Sequence, residues 1–299
     1  MIASRQSRIW LAALIAASVA AGWRPLLATF SLALNNDQYT HILLILPLSA
    51  ALIYMDWPSL RKFTAPSVAF GSVLLALAIV AAAFSFVSSA SLPADVQLAI
   101  RIFALVLFWI GAAVICLGSR VARGLLFPLC FLFLLVPLPQ VVLARVIGLL
   151  QEGSALSAQC LFSAVGVPVA RDGVILTIPR LTIEVAQECS SIRSSSMLIV
   201  TTMLLAQVLL RSPWRKAIVI AVALPLSVAK NGLRIFTISM LGTRVDPGYL
   251  NGRFHHQGGI VFFAVALLVV FGLIWLLRRG ETREEFVPSS LPARSVEGE

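Results

Sequence analysis

Charge is what this chain has least of. Of its 299 residues only 12% are Asp, Glu, Lys or Arg, and 59% are hydrophobic. A soluble domain carries about a quarter charged residues. Together with a mean hydropathy of +0.95, this excludes a soluble globular protein and points to an integral membrane protein. Metal-binding patterns are also missing. The four cysteines, Cys116, Cys130, Cys160 and Cys189, form no CxxC pair and have no metal-type spacing to histidine, so no zinc site, other metal site or cofactor is expected. Cys116 and Cys130 lie inside apolar runs and read as small buried apolar residues. The basic residues lack aromatic interleaving, so the net charge of +10 does not imply a nucleic-acid partner. Internal repeats are absent, and no second domain is expected. Residues 1–280 read as one multi-pass membrane domain and 281–299 as a polar, disordered cytoplasmic tail.

What the chain does have is long apolar runs. A spanning helix needs about 20 mostly apolar residues. Eight candidates stand out, within one or two: Ile9–Leu32 (interrupted by Arg24-Pro25), His41–Met55, Val68–Val87, Ile100–Leu117, Gly124–Leu138, Cys189–Leu210, Trp214–Leu241 and Gly258–Leu277. The second and fifth are short and contain or end in proline. The first has a poor cleavage site at Ala21-Gly22-Trp23-Arg24 and reads as an uncleaved span. With the N-terminus inside, cytoplasmic segments hold 13 of the 23 basic residues, mostly in very short loops. Positive-inside bias therefore predicts both termini inside. The fold expected is an all-α polytopic bundle of about eight transmembrane helices.

One long outer stretch, Pro139–Glu188, lies between the spans. Within it Gln140–Leu161 is moderately amphipathic and suits an interfacial helix. Val169–Val185 alternates β-branched residues about Asp172-Gly173 and reads as a small β-hairpin.

That stretch delivers the chain to Gln187-Glu-Cys-Ser-Ser-Ile-Arg193. The thiol of Cys189 opens an apolar span, and Arg193, at i+4, shares its helix face. The helix N-terminus and Arg193 favour a thiolate, and Glu188 opposes them. The loop after this span is only Arg211–Arg215, so the next helix should be its antiparallel neighbour. Counting from Pro213, Cys189 lies 24 residues back and Arg234 lies 21 forward, roughly 36 and 32 Å along their helices at 1.5 Å per residue. Thiol and guanidinium should therefore sit at similar height. Lys230 and Arg234 share one helix face with Asn231 and Gly232 between them. Cations inside a span are costly unless they face a polar cavity or a partner, although snorkelling to the headgroups would also accommodate them. The last outer loop ends in Phe254-His255-His256-Gln257-Gly258-Gly259, which brings two imidazoles to the same side beside glycines that permit close backbone approach. Thiol, guanidinium and imidazole together suit nucleophilic acyl transfer, in which histidine takes the thiol proton and arginine steadies the oxyanion.

With these residues in view, the chain resembles the exosortases, multi-pass relatives of the archaeosortases, over most of its length. The likeness rests on Asp37-Gln-Tyr-Thr-His41 running into Pro47, on Arg123–Pro139 ending Val-Pro-Leu-Pro, and on Arg171-Asp-Gly173 with Ile178-Pro179. Its most specific blocks are Glu188-Cys-Ser-Ser-Ile-Arg-Ser194, Asn231-Gly-Leu-Arg-Ile235, and His255 four residues before Gly259-Ile-Val-Phe-Phe. The resemblance implies a cysteine transpeptidase of the inner membrane with its site on the periplasmic side. Such an enzyme cleaves secreted proteins at a C-terminal sorting signal of PEP-CTERM type: a short motif, an apolar helix and a basic tail. It would form a thioester and pass the new C-terminus to a lipid-linked or polysaccharide acceptor. Under that reading Cys189 is the nucleophile, Arg234 orients substrate or transition state, and His255 is base and acid. Arg193, Asn231, His256 and Lys230 support them, and membrane lipid surrounds the whole. Ser191 stands where the family usually has glycine, which bears on the substrate motif more than on the chemistry. The rival class is a transporter or lipid-carrier-binding protein whose Arg193, Lys230 and Arg234 hold an anionic headgroup.

Overall fold

The computed structural model describes residues 2–64, 67–179, 181–185, 192–246, 248 and 259–284. The chain divides into two compact units, Met1–Gly148 and Leu149–Glu299. Among the described residues seven helices are long and apolar enough to cross a membrane, and a bent pair brings the total to eight.

In the first unit the helices run up and down beside one another. Helix α1 (Ile2–Ala21) climbs along α5 (Ala94–Leu117), where Trp109 Nε1 donates to Ser18 Oγ at 2.9 Å. The chain then bends by 73° at Gly22 into α2 (Trp23–Asn35). The single first span expected over Ile9–Leu32 is therefore broken. Pro25 explains the position of the break: with no N–H to donate, it fits the first turn of a new helix but not a helix interior. Helix α3 (Ile42–Leu60) descends, its Ser49 Oγ donating to the Pro128 carbonyl at 2.8 Å. Helix α4 (Val68–Val87) rises antiparallel to α5. At their lower crossing two glycines meet, and a Cβ placed on Gly71 would lie 2.4 Å from Ile115 Cγ1 and 3.0 Å from the Gly111 carbonyl oxygen. With lipid outside and no hydrophobic drive between helices, such small-residue contacts let backbones approach and dispersion hold them.

The segment expected as the fifth span, Gly124–Leu138, is not one helix. It consists of α6 (Ser119–Gly124), α7 (Leu126–Phe131) and a 3₁₀ turn at Leu132–Leu135. Pro128, Pro137 and Pro139 each remove a backbone donor. The segment still travels the full length of α5. It leaves the end of α5 through Gly118 (φ 94°), and Gln140 N donates at 2.7 Å to Asp95 Oδ2 in the first turn of that same helix. Tyr39 OH donates to the Leu138 carbonyl at 2.8 Å, closing the same end. Cys116 is buried as expected, whereas Cys130 points outward from α7.

Helix α8 (Gln140–Ala164) starts in the first unit and ends in the second. The sequence suggested a helix lying along the interface. It is one unbroken helix of 25 residues, long and apolar enough to cross a membrane. After it come three strands rather than two: β1 (Ala170–Asp172), β2 (Ile175–Ile178) and β3 (Leu181–Glu184), an antiparallel sheet in the order β1-β2-β3. Gly173, at φ 57°, makes the first turn, where only glycine is unstrained. Leu176 and Ile178, on one face of β2, pack with Ala155, Ala158 and Phe162 of α8 and with Ile235. In the second unit α9 (Ile192–Leu209), α10 (Pro213–Arg244) and α11 (Gly259–Glu284) share an apolar core centred on Leu198, Val219 and Val270. Glu281, expected in the disordered tail, lies in α11. Its carboxylate accepts from Arg211 N (3.1 Å) and Ser212 N (2.8 Å), pinning the α9–α10 turn.

The Gly71–Gly111 contact gives a direct test. Gly71→Val is expected to destabilise the folded protein in detergent by about 1–3 kcal/mol through overpacking. Gly148→Ala, whose Cβ meets nothing within 4 Å, should leave the thermal midpoint unchanged or slightly raised. The two midpoints measured side by side check the crossing.

Candidate active site

The residues singled out in the sequence fall into two groups. Cys189, Ser191, His255 and His256 lie outside the described residues. Arg193, Lys230, Asn231 and Arg234 are described, on α9 and α10.

Helices α9 and α10 are antiparallel neighbours, as the short loop between them requires. Their register is fixed by polar contacts across the seam. Ser227 Oγ donates to Ser195 Oγ at 2.6 Å, and one turn further along Lys230 Nζ donates to Ser194 Oγ. Lys230 is 6% exposed. Its ammonium therefore does not snorkel into the headgroups; it stays in the bundle, solvated by a hydroxyl of the facing helix. Arg234 follows one turn later on the same face and is half-buried, and Arg193 is exposed in the first turn of α9. Arg234 thus sits beyond Lys230, toward the end of α10 where α9 begins.

The two residues between these cations tie α10 to α8. Asn231 is 1% exposed, and its Nδ2 donates to Ser154 Oγ at 2.9 Å. Ser154 in turn donates to the Leu150 carbonyl at 2.6 Å. Asn231 Oδ1 is buried with no hydrogen-bond partner among the described residues. Gly232 allows the two helices to touch. A Cβ there would lie 2.4 Å from Ser157 Oγ and 3.0 Å from the Ala158 backbone nitrogen. Asn-Gly-Leu-Arg therefore works as a unit: asparagine and glycine lock the helix against α8, and arginine emerges one turn past the lysine. The sheet continues this packing toward the same end of α10. Ile235 joins Phe162, Leu176 and Val185, and Gln151 Nε2 donates to the Val185 carbonyl at 2.7 Å. Val185 lies four residues before Cys189 in the chain.

Of the serines of this seam, Ser194 closes the Glu188–Ser194 motif block, whereas Ser154, Ser157, Ser195 and Ser227 were not singled out in the sequence. A signal was present in part. Ser227 precedes Lys230 by three residues, which places both on one helix face. Serine is common in membrane helices, however, and its partners are set by packing.

A family model described as transmembrane exosortase matches residues 33–272, which is most of the chain. No curated protein and no solved structure matches it.

The tight approach at Gly232 yields a double-mutant test. Gly232→Ala is expected to cost about 1–3 kcal/mol of stability in detergent. Adding Ser157→Gly should recover part of that loss, because the two shortest contacts are with the Ser157 side chain while the Ala158 backbone nitrogen at 3.0 Å remains. A coupling energy near zero in the thermal-unfolding cycle would remove the α8–α10 contact from this account.

Proposed function

Because the chain belongs to the transmembrane exosortase family, a family of membrane cysteine transpeptidases, we propose that it cleaves secreted proteins at a C-terminal sorting signal through a thioester on Cys189. The new C-terminus then passes to an acceptor in the cell envelope. The observation that supports this reading is the cationic face of α10. Lys230 and Arg234 are held beside the start of α9, whose first residue, Ile192, follows Cys189 by three positions.

In this scheme His255 removes the thiol proton of Cys189, and the thiolate attacks the carbonyl carbon of the scissile peptide bond. The negative charge that develops on the carbonyl oxygen falls to Arg234, whose planar fork can offer two N–H donors to one oxygen site. The C–N bond then breaks, and the departing amine takes the proton held by His255. The acyl group remains on sulfur until an acceptor nucleophile, deprotonated by the same imidazole, displaces the thiolate. Lys230, committed to Ser194, positions the face and leaves the oxyanion to Arg234. Asn231 keeps α10 from rotating, which would carry Arg234 out of register. His256 and Arg193 are assigned supporting roles. A client whose signal combines an apolar helix with a basic tail would enter from the membrane side by side with these helices. In the inner membrane the site would face the periplasm.

Two experiments test this. The first follows the size of a secreted protein bearing a candidate sorting signal, co-expressed with variants. Cys189→Ala should abolish processing, and Arg234→Lys should slow it by roughly 10²-fold or more, the usual effect of losing one oxyanion donor. Processing by Cys189→Ala at the wild-type rate would refute the thioester and favour an anion-holding role for Arg193, Lys230 and Arg234. The second uses a membrane-impermeant thiol reagent on a variant with Cys116, Cys130 and Cys160 replaced by alanine. Labelling of Cys189 in intact cells is expected; labelling only after lysis would overturn the placement of the site.

A further inference from the structure

The first unit carries a second polar–apolar site, unrelated to the thiol. A cavity of about 670 Å³ opens between the α1–α2 bend, α4 and α5. Ala17, Ala78 and Phe108 belong to its apolar lining, and Arg24 and Arg101 are its two charged lining residues. Arg101 is half-buried; its Nε donates to Ser85 Oγ at 3.1 Å and its Nη2 to Gln97 Oε1 at 3.2 Å. Those contacts fix the plane of the guanidinium. Arg24 is exposed and lies over the Trp23 ring, 5.7 Å from its centroid. Among the described residues no acidic side chain lines the cavity, and neither arginine has a carboxylate partner there.

Two guanidiniums facing one cavity without a carboxylate should repel each other, and at a membrane-facing site the repulsion is poorly screened. An anion between them would relieve it, and arginine suits a phosphate oxygen pair. The rest of the cavity is apolar and continues along α4 past the exposed side chains of Ile79 and Phe86. A ligand with one negative end and a hydrocarbon body matches this polarity. We propose that the cavity is a specific site for an anionic phospholipid, its phosphodiester between Arg24 and Arg101 and an acyl chain along Ala78 and Phe108. The bend at Gly22 makes the site, since a straight first span would carry Arg24 away from Arg101. An acidic peptide could satisfy the arginines, but it would bury its own polar backbone against alanine and phenylalanine with no donors to receive it.

The test reconstitutes the full chain in nanodiscs of phosphatidylglycerol and phosphatidylcholine in equal amounts, then extracts it gently for native mass spectrometry. The wild type should keep one phosphatidylglycerol in about tenfold preference, as two charge-assisted contacts allow. Arg24→Gln with Arg101→Gln should lose the preference, and Arg24→Lys with Arg101→Lys should keep part of it. Ala82→Phe, at an exposed lining position, fills the groove with both arginines intact and should expel the lipid; it carries the test if the double glutamine variant does not fold. Equal retention of the two lipids by wild type would overturn the site. So would unchanged phosphatidylglycerol retention in Ala82→Phe or in the folded glutamine variant.

Discussion

An ammonium inside a helical bundle must be solvated by the protein, and the second unit is arranged around meeting that need. Lys230 finds its partner in Ser194, a hydroxyl on the facing helix. Ser227 and Ser195 repeat the contact one turn below, and Asn231 reaches Ser154 on the third helix. In water each of these bonds would be worth little net, because the broken alternative is hydrated. Among apolar helices the alternative is an orphaned polar group, so register and rotation are constrained together. The orientation of Arg234 follows from that constraint, because it is one turn from a lysine that cannot rotate away.

The first unit obeys the same rule where its backbone is broken. Prolines in the segment from Gly124 to Leu138 withhold donors and leave carbonyls unpaired within the segment. Side chains from neighbouring elements answer them: Ser49 takes up the Pro128 carbonyl and Tyr39 the Leu138 carbonyl, while Asp95 receives the free Gln140 N–H at the start of α8. Irregular backbone is tolerable inside a bundle only with such partners. This gives a structural role to Tyr39, within the early Asp-Gln-Tyr-Thr-His segment that the family resemblance had marked without explaining.

Glycine is used for contact in both units. Gly71 and Gly111 bring α4 and α5 together, and Gly232 brings α10 against Ser157 of α8. Where a Cβ would meet backbone or a short side chain, there is little room for relaxation, so each position sets a helix separation. In the second unit that separation holds the Asn-Gly-Leu-Arg block in place and hence the cationic face proposed for catalysis.

Much of this was legible in the order of residues. Composition and apolar run length gave a polytopic helical protein, because a span of fixed thickness demands a fixed length of apolar chain. The short stretch after the Cys189 span made α9 and α10 antiparallel neighbours, and helical rise alone put Arg234 near the start of α9. Motif blocks gave the family and named Cys189, Arg234 and His255, although Cys189 and His255 lie outside the described residues. Packing decided the rest. That Gly124–Leu138 crosses its unit as fragments, that Gln140–Ala164 is a full-length helix, and that a third strand completes the sheet depend on which side chains rescue which backbone groups. Local periodicity does not encode those pairings. Nor does it distinguish a lysine that snorkels from one held by a serine 36 positions earlier in the chain, since only the meeting of two helices supplies the second hydroxyl.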